Sequence, residues 1–555
     1  MLIWNIGNTT VRNPERLREA LALFQKHMSG RPFTKLEQVE FQGHMIDEGL
    51  VDSDRRGGDD GARKFASAFK QLGFVTDWAR GSSWTITAVG ENLIKHPTIE
   101  QTIFLRQLLK YQIPSPLERT AGLDVRPFRL LLRFLQRAHD EGMTGLTKHE
   151  IGLFVDTVLT EDATTFETAF VEIRAFRNAY DAYHGRVNKM RFAGVEAYKI
   201  ALRLGLAPGT LLDYADSSSR YALMSGLLTI RGNKLAVSAA RLPYIMEILA
   251  DGSALLPNAN YLHFYYNPEF PLLPTDDPTF LNAEIPQLLA QLHQVADTIR
   301  ETVHLTPPRA DMSLSELQDY EQRLRAEIKR VKEIQFYRVQ STDMALEEIE
   351  EMLEEIRDGT LYGGQAYAPA FFEWSIWRLF LAINHIEGEI GKTRGFNIDE
   401  DLQPIHHARG GAADLTFHYK DFIIVCEMTL ATGSRQFTME GEPVTRHVFK
   451  AVNANPSLPV YGMFFAKTID PNTADAFHNA RYWQDWNTPV ATPVIALDME
   501  QTLGFVRRLR QQPITLEVLH NLLDSILADQ AEHLSGPEWY RSYSASVVAP
   551  FLHAP

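Results

Sequence analysis

Cysteine is almost absent from this chain of 555 residues, which contains Cys426 and no other. A single cysteine excludes a disulfide scaffold and a zinc site made of several thiolates, and it is typical of a reducing compartment. No apolar run approaches the roughly 18 residues of a membrane span. The N-terminus also lacks the basic and apolar segments of a secretory leader. We therefore expect a cytoplasmic protein of bacterial type with no membrane partner.

A phosphate-binding loop of the form GxxxxGK[ST] is also missing, which excludes a nucleotide-driven motor built on that loop. The remaining composition is ordinary for a soluble globular protein, with 45% hydrophobic and 23% charged residues. At about 100–200 residues per domain, the length predicts several domains.

Charge is distributed unevenly along the chain, whose net value is −15. Residues 1–250 contain 32 Lys and Arg against 28 Asp and Glu, whereas residues 251–555 contain 23 against 42. The first part is therefore compatible with a polyanionic partner, and the second part has surplus carboxylates for binding a metal. The alternative interpretation is that acidic cytosolic proteins are common and that the first part is nearly neutral.

Two segments of the first part combine a helix with a β-hairpin. In residues 53–90, the helical ARKFASAFKQLG precedes the strands FVTDWA and SWTITAVG, with a turn at 80–83. In residues 209–238, a helix with a polar break precedes a hairpin that turns at 232–233. A helix followed by a hairpin is the second half of a winged helix, so the pattern predicts tandem DNA-binding units. The alternative is that both units are structural filler.

The middle of the chain has the pattern of a linker. Residues 251–280 contain five prolines, and residues 281–357 are strongly helical before the break at Gly359. The acid-rich run DMALEEIEEMLEEIRD predicts a solvated helix face. We interpret 281–357 as a helical spacer.

The residues that suggest chemistry follow this spacer. Glu373 is the one acid of the aromatic-rich helix AYAPAFFEWSIWRLFLAINHIEG, and Asp414 and Glu427 lie 13 residues apart on two strands joined by a tight turn. That spacing brings the two carboxylates to neighbouring positions of an antiparallel pair. A hard divalent cation would relieve their repulsion, with the Met428 carbonyl as a third ligand. Spacing alone is a weak signal, and the alternative interpretation is an ordinary polar strand and turn.

Further polar residues follow in QFTMEGEPVTRH, which contains Glu440, Glu442, Arg446 and His447. A helix that starts near Pro443 would place Arg446 and His447 along one side, an arrangement suited to a scissile phosphate. His406 and His407 do not predict a shared ion, because adjacent residues of a strand point apart. We expect Cys426 to be a small core residue.

The segment NIDEDLQPIHHARGGAADLTFHYKDFIIVCEMTLATGSRQFTMEGEPVTRH resembles the catalytic region of the AlwI-type type IIS restriction endonucleases, a group with relatives that nick one strand. WNIGNTTVRNPERL, YYNPEFPLLP and FFEWSIW match other landmarks of the family, so the resemblance covers nearly the whole chain. It implies a multidomain α+β protein. Residues 1–250 would be a mainly helical recognition region with winged-helix units, 251–358 a helical linker, and 359–555 an α/β nuclease domain of the PD-(D/E)xK kind.

By position, the resemblance places the family's catalytic acids on Glu373, Asp414, Glu427 and Glu440, and its histidine on His447. Asp414, Glu427 and Glu440 would then bind Mg²⁺, for which Mn²⁺ would substitute. Two departures stand out: Ala413 replaces the usual proline before the aspartate, and Thr429 replaces the usual lysine, which relatives also lack. Arg446 or His447 could orient the attacking water instead, although His447 could equally be a structural cap.

The implied activity is Mg²⁺-dependent hydrolysis of phosphodiester bonds at a fixed distance outside a short asymmetric site. The implied partners are double-stranded DNA, a transient homodimer or second nuclease subunit, and a cognate DNA methyltransferase in the host. Two alternatives stay open, namely a DNA-binding regulator or scaffold with an inactive nuclease domain, and a structure-specific repair nuclease. From the helix–hairpin units we predict DNA contacts by Arg55, Arg56, Arg63, Lys64, Lys70, Ser218, Ser219 and Arg220.

Overall fold

The computed structural model divides into two compact units, residues 1–280 and 281–555. It describes residues 3–11, 14–51, 57–76, 83–183, 186–231, 234–250, 252, 255–361, 368–405, 407–408 and 412–553. Arg55, Arg56, His406, residues 80–82 and the predicted turn at 232–233 lie outside these ranges. None of the described helices is both long and apolar enough to cross a membrane.

The first unit is mainly helical. Its helices are α1 (Leu17–His27), α2 (Lys35–Asp47), α3 (Asp60–Gln71), α4 (Ala88–Lys95), α5 (Glu100–Lys110), α6 (Pro127–Asp140), α7 (Lys148–Glu150), α8 (Ala163–Ala182), α9 (Arg186–Leu204), α10 (Pro208–Leu223), α11 (Leu242–Ala250) and α12 (Asn258–Tyr265). Its strands are β1 (Arg31–Pro32), β2 (Val75–Thr76), β3 (Ser83–Ile86), β4 (Leu146–Thr147), β5 (Leu228–Arg231) and β6 (Lys234–Val237). They form two small antiparallel sheets, with the orders β1-β3-β2 and β4-β6-β5.

Both predicted helix–hairpin segments are present as α3-β2-β3 and α10-β5-β6, but the first hairpin is shorter than predicted. The strand expected to reach Gly90 ends at Ile86, because Thr87 caps helix α4. The Thr87 hydroxyl accepts a hydrogen bond from the Gly90 amide at 3.1 Å. This capping bond satisfies a donor that the first helical turn leaves open, and it fixes the start of α4.

Helix α10 is continuous and largely buried, so the predicted polar break within it is wrong. Its serines bind the N-terminal segment. The Ser218 hydroxyl accepts from the Ile6 amide at 3.1 Å, and the Ser217 hydroxyl donates to the Ile6 carbonyl at 2.8 Å. Ser219 donates to Ala215 of its own helix at 2.7 Å.

Arg220 completes this attachment, since it donates to the carbonyls of Val11 at 2.6 Å and Thr9 at 3.3 Å and pairs with Asp216 at 2.9 Å. The extended N-terminal segment has backbone groups that need partners, and α10 supplies them. The predicted DNA contacts by Ser218, Ser219 and Arg220 therefore find no support here, because these side chains are buried and bonded within the protein.

The second unit begins near the start of α13 (Pro278–Ile299). Its further helices are α14 (Leu314–Val339), α15 (Asp343–Asp358), α16 (Ala368–Ile383), α17 (Ser434–Ala454), α18 (Pro471–His478), α19 (Met499–Gln511), α20 (Leu516–Gln530), α21 (Gly536–Tyr543) and α22 (Ala549–His553). Its strands are β7 (Leu415–His418), β8 (Ile423–Thr429), β9 (Val460–Ala466), β10 (Arg481–Trp483), β11 (Pro489–Ala491) and β12 (Val494–Leu497).

A mixed sheet of order β12-β9-β8-β7 forms the centre of this unit. β7 and β8 are the predicted antiparallel hairpin, whereas β8, β9 and β12 run parallel. Every residue of β9 and β12 is buried, as expected for parallel strands covered on both faces by helices. The β10–β11 hairpin is a separate ribbon, attached to α17 by stacking of Tyr482 on Phe449 at 4.4 Å.

The segment predicted as a helical spacer consists of α13, α14 and α15, which pack within the second unit. The acid-rich run on α15 is only partly a solvated face, contrary to the prediction. Glu350 is half-buried and accepts from Arg507 at 2.6 Å and Arg510 at 2.8 Å, both on α19. Opposite charges on a neighbouring helix thus offset part of the acid repulsion along α15.

We expect Arg220→Ala to lower the stability of the protein by about 3 kcal/mol, because it removes the donor to the Val11 and Thr9 carbonyls and leaves Asp216 with Lys148 as its remaining ion-pair partner. The measurement is the urea midpoint of the full chain. Arg203→Ala on α9 is the matched control, since Arg203 is exposed and should change stability by less than about 0.5 kcal/mol. Equal midpoints for both variants would contradict the attachment described above.

Candidate active site

Asp414 and Glu427 lie side by side at one end of the central sheet. Leu415 pairs with Cys426 in the β7–β8 ladder, so Asp414 and Glu427 continue the same register one step further. The Met428 amide donates to Asp414 Oδ2 at 2.9 Å, which ties the first carboxylate to the neighbouring strand. This is the neighbourhood that the spacing of the two residues predicts. Burial raises the pKa of Asp414 well above its usual value, and nearby Glu427 raises it further.

Glu373 reaches the same cluster from the buried helix α16. Its Oε2 accepts from the Ala408 amide at 2.6 Å, and only 4% of the residue is exposed. Burial raises the pKa of Glu373 well above its usual value, with a further contribution from Asp414. The single acid of this apolar helix is therefore held by a backbone donor and repelled by its acidic neighbours.

Glu427 and His447 form a buried pair, with 2.6 Å between Glu427 Oε1 and His447 Nδ1. Burial raises the pKa of Glu427 to about 9, with Glu440 as the next cause. Burial lowers the pKa of His447, with Arg446 and Lys450 adding to the effect. Both directions favour a neutral pair in which the carboxyl donates to Nδ1. His447 Nε2 is buried and finds no hydrogen-bond partner among the described residues.

Glu440 approaches from α17, opposite Thr429 at the end of β8. Burial raises the pKa of Glu440, and a hydrogen bond with the Thr429 side chain counteracts part of this increase. Thr429 occupies the position at which the family pattern usually has lysine. In this chain the position therefore presents a neutral hydroxyl to the carboxylate cluster instead of a cation.

The start of α17 differs from the prediction that a helix begins near Pro443. The helix begins at Ser434 and contains Pro443 in its interior. Arg446 and His447 consequently do not share one side: Arg446 is partly exposed and pairs with Glu442 at 2.9 Å, whereas His447 is buried against Glu427. The predicted phosphate site at a helix start near Pro443 is therefore wrong, because no helix starts there.

The donor chemistry of Asp414, Glu427 and Glu440 fits a hard divalent cation, because neighbouring carboxylates raise the pKa of Asp414 and of Glu427, and no described lysine or arginine forms an ion pair with the three acids. As placed, however, no three acidic, histidine or cysteine side chains converge on one point within the described ranges. Hydrogen bonds with Met428, His447 and Thr429 hold the carboxylates instead. Cation binding therefore requires some of these bonds to be exchanged.

Sequence reasoning did not identify the segment that supports Glu373. This segment, residues 384–408, is contacted by four residues of α14 that are spaced by four. Arg325 forms a hydrogen bond with Glu400, and Lys329 forms one with the Ile398 carbonyl. Glu333 bonds with Arg394, and Tyr337 bonds with Asn384. The segment continues to Ala408, whose amide donates to Glu373. The amino-acid sequence gives no signal for a backbone amide, such as that of Ala408, that donates to a distant side chain. The spacing by four along α14 was a detectable signal of one shared helix face.

The described members of the other predicted DNA-binding set lie on α3. Arg63 is exposed and bonds Asp60 at 3.1 Å, and Lys64 is an ion-pair partner of the same aspartate. Lys70 lies over the Trp84 ring, 5.8 Å from its centroid. Their roles in binding DNA stay predictions.

A family model for restriction endonucleases matches residues 70–503, a range that includes the whole carboxylate cluster, and this defines the chain as a DNA nuclease of that class. This family model is that of the AlwI restriction endonucleases. Because it covers most of the 555 residues, the chain belongs to the AlwI restriction endonuclease family. No curated protein gives a significant match to the chain.

Three solved structures are similar to parts of the chain. The small subunit of the heterodimeric restriction endonuclease R.BspD6I is 24% identical, with a TM-score of 0.29, over 36% of this chain and 99% of that one. The BpuJ1 endonuclease binding domain, solved with pyrene- and phenanthrene-modified DNA, is 15% identical, with a TM-score of 0.36, over 48% and 98%. Restriction endonuclease FokI is 13% identical, with a TM-score of 0.25, over 94% and 99%.

We expect Glu427→Gln to stabilise the metal-free protein more at pH 8 than at pH 5. The pKa of Glu427 is raised to about 9 in the folded chain, above the value of about 4.3 of an unfolded glutamate. Its contribution to stability is therefore fully present below the unfolded value and is lost as the pH rises towards 9. Glutamine stays neutral and avoids this loss.

Urea midpoints in EDTA at the two pH values measure the difference. Glu442→Gln serves as the control, because the Glu442 side chain is 63% exposed and should show no such trend. A gain for Glu427→Gln that is equal at both pH values would contradict the burial argument.

Proposed function

We propose that this restriction endonuclease is a type IIS enzyme that binds a short asymmetric DNA site and hydrolyses phosphodiester bonds at a fixed distance outside it. The observation that carries this proposal is that Glu373, Asp414, Glu427 and Glu440 lie near one another around the end of the β7–β8 hairpin, where their charges raise one another's pKa. Buried, mutually repelling carboxylates at one sheet end are expected of a nuclease core of the PD-(D/E)xK kind. Winged-helix units within residues 1–250 would read the DNA.

Asp414, Glu427 and Glu440 would hold Mg²⁺, or Mn²⁺ as a substitute, and the ion would neutralise charge on the phosphate and acidify a bound water. The remaining roles belong to the chain itself. Glu373, fixed by the Ala408 amide, positions the cluster from α16. His447 is held at Nδ1 by Glu427, which leaves Nε2 as the atom able to hold a proton near the reacting water. Thr429 orients Glu440 where a lysine is usual.

The described residues of one chain form one such cluster, and one cluster would cleave one strand. Double-strand cleavage would therefore need a second nuclease domain, supplied by a transient homodimer or by a separate subunit. A restriction enzyme of this kind would also have a cognate DNA methyltransferase as its partner in the bacterial cytoplasm.

We expect Asp414→Asn and Glu427→Gln each to abolish nearly all cleavage, because each removes a negative ligand while it keeps the side-chain shape. Specific DNA binding should survive. Glu440→Gln should be severe but partly rescued by Mn²⁺, and His447→Ala should cause a partial loss. The measurements are the cleavage rate and the gel-shift affinity on one duplex that contains the site found by run-off sequencing.

Glu442→Gln is the matched control, since Glu442 lies two residues from Glu440 but is exposed and paired with Arg446. It should cleave at close to the wild-type rate. Wild-type-like cleavage by Asp414→Asn would exclude the proposed metal site. A smear instead of discrete fragments from plasmid DNA would favour a structure-specific nuclease, and a wild-type protein that binds but never cuts would favour a regulator.

Nicked circles should accumulate before linear product when a plasmid with one site is cut at low enzyme concentration, because the described part of the chain forms a single carboxylate cluster. Agarose gels of a time course report the order of products. Immediate linearisation by a protein shown to be monomeric would refute this expectation.

A further inference from the structure

Helix α9 of the first unit has an unusual distribution of side chains. Its fully buried positions are the alanines Ala193, Ala197 and Ala201, with Phe192, Ile200 and Leu204 partly buried beside them, whereas several other large side chains are exposed. Val195 is 47% exposed, Tyr198 57% and Leu202 68%. The spacing of these three, together with Arg191, places them along one outer face of the helix. Because small residues face inward, α9 can pack closely on its neighbours and still present bulky groups to solvent.

The same outer surface is cationic. It contains Arg191, Lys199 and Arg203 against the single acid Glu196, in a chain whose net charge is −15, whereas Lys189 is half-buried and pairs with Asp181 at 3.3 Å. Lys199 bonds Glu196 at 2.7 Å. Arg191 and Arg203 are exposed, and neither forms an ion pair with any residue that the structure describes. Uncompensated arginines beside an exposed tyrosine are a composition suited to a polyanion.

We propose that the α9 face, which consists of Arg191, Val195, Tyr198, Lys199, Leu202 and Arg203, contacts the DNA duplex. This inference rests on the proposed function and assigns part of its DNA-binding surface. From Arg191 to Arg203 the helix extends about 18 Å at 1.5 Å per residue, comparable with about five base pairs at 3.4 Å each. The cations would bind phosphates, while Tyr198 and its apolar neighbours would lie against sugars or base edges.

Charge favours DNA over a protein as the occupant. A second copy that placed α9 against α9 about a two-fold axis would bring the same cations together, which is repulsive. Neighbouring α10 does not compete for this role, since its serines and Arg220 are buried against the N-terminal segment. The sequence pattern predicted DNA contacts from α10, whereas in the described part of the first unit exposed cations lie on the neighbouring helix α9.

Gly194 provides a sharp probe of this face. It lies between Arg191 and Tyr198 along the helix, and a Cβ added there would meet no atom within 4 Å. Gly194→Glu should therefore add a negative charge to the α9 face without a steric clash, and Gly194→Ala should leave the charge unchanged. Gly43 on α2 also has open space around an added Cβ, which makes Gly43→Glu a control for charge and helix context.

The experiment is fluorescence anisotropy of full-length protein on a labelled duplex with the cleaved site, in EDTA, over a range of salt concentrations. Each of Arg191→Gln and Arg203→Gln should reduce the salt slope by about 0.9, the value for one lost phosphate contact. Tyr198→Ala and Gly194→Glu should weaken binding at least tenfold. Gly194→Ala and Gly43→Glu should bind like the wild type.

Wild-type binding by the arginine, tyrosine and Gly194→Glu variants, with unchanged salt slopes, would overturn the proposal. The proposal would also be overturned if these variants bound DNA like the wild type but no longer formed a dimer that the wild type forms in sedimentation. That result would make the α9 face an interface between copies of the chain. If the wild-type protein neither binds nor cuts DNA, the proposed function itself fails. That outcome is distinct from the two preceding ones, in which the wild-type protein binds DNA.

Discussion

The burial of several carboxylates at one end of the central sheet is the constraint to which the second unit is adapted. Ionised carboxylates are costly away from water, and a second one nearby increases the cost. The chain meets this cost with a separate partner for each acid: the amides of Ala408 and Met428, the Thr429 side chain and the His447 ring. Because the acids and their partners belong to α16, α17, the hairpin and a connecting segment, the cluster links these elements together.

Helix α14 extends this linkage beyond the cluster. Its contacts with residues 384–400 hold the segment that leads to Ala408, and Arg378 of α16 donates to Gln340 just beyond α14 at 2.7 Å. Arg325 is buried among Glu284, Glu321 and Glu400, an arrangement in which loss of one partner would leave an uncompensated charge. The helices predicted as a spacer thus also support the carboxylate-containing end of the sheet. Their hydrophobic and charge periodicity predicted helices, but it did not reveal which segment each face contacts.

The sequence predicted the parts of the fold that depend on local patterns. The β7–β8 hairpin followed from two apolar strands around a short turn. The approach of Asp414 to Glu427 followed from the same hairpin. By contrast, Glu373 and Glu440 come from separate helices, so their positions rested on the family resemblance and not on spacing.

The errors have a common physical origin, which is competition between a local pattern and a distant partner. Pro443 suggested a helix start, yet α17 begins at Ser434 and continues through it. The serines of α10 suggested an exposed break, yet the backbone of residues 6–11 requires hydrogen-bond partners and α10 supplies them. In both cases the residue type was interpreted correctly for an isolated segment, and tertiary contacts decided differently.

The repulsion within the carboxylate cluster also connects folding with ligand binding. Without a cation, the folded protein keeps acids such as Glu427 protonated well above their usual pKa, which lowers its stability at neutral and alkaline pH. A cation that binds the folded state alone would remove this cost and stabilise the unit by mass action. The hydrogen bonds of Glu427 with His447 and of Glu440 with Thr429 would then act as temporary partners. On the proposed function, they would satisfy the carboxylates until a cation replaced them, and the same arrangement would then be stable both without the cation and with it.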